Sequence, residues 1–173
     1  MPLRLALLLL VTGLATGCVS SGYDSPLQTG KGREEARVAY VQLGLGYLRQ
    51  GMSEQAKVPL KKALELEGDD AEANGALALV FQAQAEPELA EQYFSKALAS
   101  RPADPRLLNN YGSFLFEQKR YDQASRYFQQ ASADPLYPER SRVFENLGVA
   151  SKRLGQRDIA RQHLEKALHL NSR

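Results

Sequence analysis

Few residues in this chain have the chemistry to act on anything. There is one cysteine, Cys18, and there are two histidines, His163 and His169. A lone thiol has no partner for an internal disulfide or for a C-x-x-C pair that could bind zinc or carry redox chemistry. What it can offer is a nucleophilic sulfur open to acylation. The histidines lie six residues apart, which is neither the i, i+4 spacing of a helical metal pair nor part of H-E-x-x-H. They read as surface or edge residues. The acidic group Glu65, Glu67, Asp69 and Asp70 does not follow the spacing of an EF-hand loop and reads as solvated surface. No G-x-G-x-x-G, P-loop or G-x-S-x-G run occurs. The sequence therefore offers no catalytic residue, no metal site, no cofactor site and no pocket for a small-molecule substrate. The expectation is a protein that is not an enzyme.

The surroundings of Cys18 give its sulfur a context. "MPLRLALLLLVTGLATGC" carries one charge, Arg4, then an apolar run, then small residues. That is the plan of a secretory signal peptide, and the run is shorter than the roughly 20 apolar residues a membrane span needs. Two cleavage readings stand. Ala15-Thr16-Gly17 can act as an ordinary A-x-A-like site. Alternatively, Leu14-Ala15-Thr16-Gly17-Cys18 resembles a bacterial lipobox, in which the cysteine becomes the first mature residue and is lipidated. Ala15 stands where that pattern prefers Leu. The place of the sole cysteine favours the lipobox, because a free thiol in an oxidising compartment is a liability. More than one acyl chain anchors a protein stably. Val19, rather than Asp, follows the cysteine, which by analogy with lipoprotein sorting implies the periplasmic face of the outer membrane. Residues 1–17 are thus set aside as leader. Residues 18–36 are expected as lipidated cysteine and flexible tether. Their polar first fifteen residues after Cys18 average about 20 Å end to end.

The remainder, residues 37–173, repeats itself. Ala-x-x-x-[Leu/Phe]-x-x-Ala occurs as Ala56-Leu60-Ala63, Ala90-Phe94-Ala97, Ala124-Phe128-Ala131 and Ala160-Leu164-Ala167, at intervals of 34, 34 and 36 residues. Twelve residues ahead of each first alanine stands a small residue, Gly44, Ala78, Gly112 or Gly148, preceded by Leu43, Leu77, Tyr111 or Leu147. A period of 34 with this pattern is the tetratricopeptide repeat. The expected fold is all-α, a right-handed superhelical solenoid of about four helix-turn-helix units at 37–70, 71–104, 105–138 and 141–173. Small residues stand where two backbones approach closely, and the Leu or Phe fills the space between neighbouring helices. Turns are expected at Gly51-Met52-Ser53, Glu86-Pro87, Lys119-Arg120 and Gly155-Gln156. The two extra residues fall at "DPLYPERS", whose prolines break the helix and give a longer inter-repeat loop.

No unit buries its face alone, so stacking supplies the core and leaves a concave groove lined by the first helix of each unit. The residues expected to line it are Val41, Leu45, Leu48, Leu79, Gln82, Asn109, Ser113, Phe116, Val149 and Lys152. Leu45, Leu48, Leu79 and Phe116 are apolar enough to hold an extended or helical peptide. Val41 and Leu45 stand where a Lys/Asn/Arg clamp for a C-terminal carboxylate would need charged and amide groups. The last helix keeps Ile159, Leu164, Leu168 and Leu170 apolar, with no capping helix after it. Either the sequence is a truncated product or a partner covers that edge.

Composition adds little: 43% of residues are hydrophobic and 24% charged, as in ordinary globular chains. Residues 18–100 carry 8 Lys/Arg against 12 Asp/Glu, and residues 101–173 carry 13 against 8. The basic half could meet an acidic partner, but the signs interleave as on a solvated helical surface. A secreted protein does not normally meet nucleic acid, so that partner is set aside.

Four stretches go further. "EARVAYVQLGLGYLRQG", "QAKVPLKKALEL", "LNNYGSFLFEQKRYDQA" and "LYPERSRVFENLG", together with the lipobox, tether and tandem repeats, resemble the type IV pilus biogenesis and stability lipoproteins, the pilotins of the pilus secretin. The resemblance covers residues 18 to 171. It implies a non-enzymatic role: the protein would escort secretin subunits to the outer membrane and promote their assembly into the ring through which the pilus passes. Lipidated Cys18 would supply the destination and the groove would hold the client. The alternative is a tetratricopeptide lipoprotein scaffold that recruits other envelope proteins, such as peptidoglycan hydrolases.

Overall fold

In the computed structural model, which describes residues 27 and 29–172, eight helices follow one another and no strand occurs among the described residues. The leader, Cys18 and the first part of the tether lie outside them. The helices are α1 (Gly30–Arg49), α2 (Ser53–Leu66), α3 (Ala71–Ala83), α4 (Pro87–Ser100), α5 (Pro105–Glu117), α6 (Tyr121–Ser132), α7 (Arg140–Arg153) and α8 (Arg157–Asn171). They pack most extensively as the pairs α1–α2, α3–α4, α5–α6 and α7–α8, and each second helix packs on the first helix of the next pair. The result is a solenoid of four helix-turn-helix units.

The repeat pattern is explained by close approach. A Cβ built on Gly44 would lie 2.4 Å from Leu60 Cγ, one on Gly112 2.7 Å from Phe128, and one on Gly148 2.6 Å from Leu164 Cγ. A large residue sixteen positions later fills the space beside each of these sites, which is why the position stays small. Leu60, Phe94 and Phe128 are at most 1% exposed. The six alanines that flank them, from Ala56 to Ala131, are fully buried. Phe94, Tyr111, Phe114 and Tyr127 form a run of ring contacts at 4.7 to 6.0 Å that joins α4, α5 and α6.

The turn inside each unit has one design. After α1, Gly51 takes φ 73°, and the homologous positions are Ala85 (57°), Lys119 (61°) and Gly155 (77°). Each closes a Schellman motif, in which two amides after the helix donate back to carbonyls of its last turn. Met52 N donates to Tyr47 O, Glu86 N to Phe81 O, Arg120 N to Leu115 O and Gln156 N to Ser151 O, each at 2.9 Å. Glycine suits this left-handed backbone, whereas Ala85 and Lys119 carry a side chain there. The turns between units differ. Asp70 and Asp104 sit at the starts of α3 and α5, and their carboxylates accept from backbone amides of Ala73, Arg106 and Leu107 at 2.5 to 3.1 Å. Residues 133–139 form the expected longer loop before α7, where Glu139 makes no such side-chain cap.

Two expectations are corrected. The first helix begins at Gly30, so the end of the expected tether, up to residue 36, is helical. Thr29 Oγ1 caps it by accepting from Gly32 N at 3.0 Å, and Arg33 donates to Leu66 O of α2 at 3.3 Å. Asp70 is not solvated surface: it is 4% exposed and paired with Arg37. Arg37, itself mostly buried, also meets Glu34, and Glu67 at 2.8 Å, which ties α1 to the turn before α3. Three carboxylates hold the Arg37 guanidinium protonated far above any accessible pH. Leu43 is 49% exposed, whereas Leu77, Tyr111 and Leu147 at the same repeat position are at most 6% exposed. Those three lie against the second helix of the preceding unit, and no described helix precedes α1.

Candidate partner-binding groove

The first helices α1, α3, α5 and α7 lie side by side along one face. At the ninth residue of each unit this face presents Leu45, Leu79, Ser113 and Val149, and three residues on Leu48, Gln82, Phe116 and Lys152. The recurrence follows from the repeat: positions one and four places past the closely packed small residue point away from the second helix.

The expected lining residues differ in burial. Val41 is a correction: it is 1% exposed and packs with Ala63 and Ala73 in the core between α1, α2 and α3. A β-branched residue one turn before Gly44 follows the packed face rather than the open one. Leu45, Leu48, Leu79 and Phe116 are half-buried, with their inner sides against the core. Val149, 45% exposed, and Lys152 are open. Asn109 is 4% exposed and is therefore mostly withdrawn from the surface.

Polar residues bridge neighbouring first helices. Gln82 Nε2 donates to Glu117 Oε2 at 2.7 Å between α3 and α5, and Asn146 Nδ2 donates to Asn109 Oδ1 at 3.0 Å between α7 and α5. Ser113 Oγ donates to Asn109 O at 3.0 Å. Glu117 and Asn146 are members that sequence reasoning missed. Both are one helical turn from chosen positions, but long polar side chains give no periodic signal. The structure brings Ser113, Phe116 and Val149 together around a recess of about 160 Å³ between α5 and α7, with Glu117, Phe128 and Asn146. Leu45, Leu48 and Leu79 lie toward the other end of the face.

Behind the groove, Arg120 Nη1 contacts both carboxylate oxygens of Glu91 at 2.8 Å, and Tyr111 Oη donates to Glu91 Oε1 at 3.0 Å. Burial, with the Glu91 bond second, pushes the Tyr111 hydroxyl up to about 12. It stays neutral and donating, and the network fixes α4 against α5 and α6. Among the described residues no group of His, Cys, Asp and Glu could hold a metal ion, and no helix is long and apolar enough to cross a membrane.

Comparison with known proteins matches these features. Tetratricopeptide-repeat family models align with residues 41–105, 76–138 and 142–173. The type IV pilus assembly protein PilF of Pseudomonas aeruginosa is 56% identical over 171 residues, which is 99% of this chain and 68% of PilF. A solved structure of P. aeruginosa PilF superposes with TM-score 0.80 at 57% identity, covering 82% of this chain and 64% of that one. The crystal structure of PilW, described as a widely conserved type IV pilus biogenesis factor, gives TM-score 0.75 at 28% identity, covering 79% of this chain and 63% of the other. The chain thus spans about two thirds of the length of these relatives.

Proposed function

On the premise that this chain belongs to the tetratricopeptide-repeat family and is a homologue of the type IV pilus assembly protein PilF, we propose that it is a lipid-anchored adaptor that binds secretin subunits of the pilus. In this reading it brings them to the outer membrane and promotes their multimerisation. The observation that carries the reading is the groove: half-buried Leu45, Leu48, Leu79 and Phe116 on the aligned helices α1, α3 and α5, with exposed Val149 beyond them on α7. Such a surface binds by excluding water from apolar side chains, each worth about 1.5–3 kcal/mol when fully buried, while the bridging amides hold the helices in register.

The chemistry of Cys18 supplies the address in this proposal. Acylation of its sulfur and of the new amino terminus would leave a domain hung on a short tether, with α1 starting twelve residues further on. A folded domain that carries its own anchor and a peptide groove needs no catalytic group to change where a client accumulates: it shifts a partition equilibrium.

The test is membrane fractionation of cells with the wild-type gene, a deletion, and Cys18→Ala, probing this protein and heat- and detergent-resistant secretin multimers together. Deletion is expected to abolish the multimers and twitching. Cys18→Ala is expected to move the protein out of the outer-membrane fraction and to reduce the multimers there. Unchanged multimers in the deletion strain would refute the secretin client. A pull-down dominated by cell-wall hydrolases, with secretin absent, would favour the scaffold alternative.

A further inference from the structure

The groove is not uniform along its length, and the differences point to what it recognises. Between α3 and α5 the gap is bridged by Gln82 reaching Glu117. One unit further on, the residue homologous to Gln82 is Phe116 and the residue homologous to Glu117 is Arg153, which is exposed, so the pair makes no amide–carboxylate bridge. The gap between α5 and α7 therefore keeps its bridge only through Asn146 and Asn109, and the recess of about 160 Å³ opens beside it. Its floor is aromatic, Phe128 and Phe116; one wall is Val149; Ser113 is small enough to leave the space free. A cavity of about 150 Å³ lined by apolar side chains is large enough to take a benzene molecule.

We propose that this recess is an anchor pocket for a single Leu-, Met- or Phe-sized side chain of an extended peptide segment, with a lysine or arginine next to it that pairs with Glu117. The proposal rests on the groove reading and names the chemistry of its ligand. Two features select a peptide. The Asn146 carboxamide is held through its N–H by Asn109 Oδ1, which leaves its carbonyl oxygen for a backbone N–H. The recess also opens onto a face that continues toward Leu79 and Leu48 at one end and Lys152 at the other, so a chain can pass through. The charge argument selects the neighbour. Glu117 is exposed, its one bond is to the neutral Gln82, and no ion pair engages it among the described residues. A carboxylate at the rim of an apolar pocket favours a cation beside the anchor and disfavours an anion.

The probe is a capped nonapeptide of glycine and serine with a central Leu-Lys pair, followed by NMR titration of the purified protein. Sister peptides carry Ala-Lys or Leu-Glu in its place. Shifts are expected at Ser113, Phe116, Asn146 and Val149, with at least tenfold weaker binding for the Ala-Lys peptide and several-fold weaker binding for Leu-Glu. Ser113→Phe, which places a ring in the recess, is expected to weaken the Leu-Lys peptide at least tenfold while the helical circular dichroism stays near wild type and unfolding stays cooperative. Glu117→Gln is expected to remove the difference between Leu-Lys and Leu-Glu and to leave the difference between Leu-Lys and Ala-Lys. No saturable shift with the Leu-Lys peptide, equal binding of Leu-Lys and Ala-Lys, or wild-type binding by Ser113→Phe would each overturn the pocket. If secretin binding depends on Leu48 and Leu79 while the peptide series is flat, the pocket fails and the groove reading stands. If the peptides bind as expected and secretin does not, the client is wrong and the pocket stands.

Discussion

Single positions carry large and unequal loads in this solenoid. Gly112→Ala would drive a methyl group to 2.7 Å from the Phe128 ring, which is 1% exposed. Gly148→Ala makes a similar clash with Leu164, but Leu164 is 40% exposed and can swing away. Overpacking costs about 1–3 kcal/mol, so urea denaturation is expected to show Gly112→Ala near the top of that range and Gly148→Ala near or below its foot. Ala85 and Lys119 stand in a left-handed backbone that glycine adopts freely. Ala85→Gly and Lys119→Gly are each expected to raise stability by about 0.5–1 kcal/mol in the same assay, whereas glycine elsewhere in the helices would lower it. The small residues at 44, 78, 112 and 148 were legible from spacing alone, because a close helix crossing selects for size at a fixed period. The positive φ at Ala85 and Lys119 was not legible, because neither residue type announces it; only the repeat register, placing them with Gly51 and Gly155, could have.

At the scale of helices, electrostatics joins what apolar packing aligns. Arg37 on α1 gathers Glu34, Glu67 and Asp70, and Asp70 also caps α3. Arg37→Leu would leave the Asp70 carboxylate buried without its cation, at a cost of about 3 kcal/mol, read as a lower denaturation midpoint. The same cluster gives a pH signature. The Arg37 hydrogen bond holds Glu34 below its ordinary value of 4.5. The unfolded chain therefore binds a proton that the folded chain refuses, and this contribution is present above that ordinary value and is lost as pH falls through the lower folded one. Wild type is expected to lose stability there more steeply than Glu34→Gln. His163 on α8 behaves likewise in a higher window. Burial lowers it from 6.5, so its neutral form favours the fold above that value and stability falls as the pH drops below it. His163→Gln is expected to flatten this dependence in melting experiments between about pH 7 and pH 5. The helices were readable from the sequence because alanine and aromatic positions recur every 34 residues. The start of α1 was not, because "GKGREEA" lacks apolar periodicity and is held by Thr29 capping and by ion pairs across thirty residues. Asp70 was misjudged for the same reason: its partner Arg37 is adjacent only in space.

Across the whole molecule, the core is a row of inter-unit contacts that ends in open apolar surface at both described edges. Leu43 on α1 and Ile159, Leu164 and Leu168 on α8 are 40 to 70% exposed, although the counterparts of Leu43 and Leu164 inside the row are at most 6% exposed. The groove was only partly legible: repeat register located Leu45, Leu48, Leu79, Ser113, Phe116 and Val149, but placed Val41 there too, because register does not say which neighbour covers a side chain. Glu117 and Asn146 came from the structure alone. The proposed client binds along α1, α3, α5 and α7 together, so weakening one end should weaken the whole. The most direct measurement is retention of purified secretin subunits on the immobilised protein, comparing wild type with Leu48→Glu, Leu79→Glu and, as a control on the opposite surface, Val58→Glu on α2, where Val58 is 62% exposed. The account predicts at least tenfold lower retention for the two groove variants, in proteins that remain folded and unfold cooperatively, and wild-type retention for Val58→Glu. Equal retention by all four proteins would contradict it.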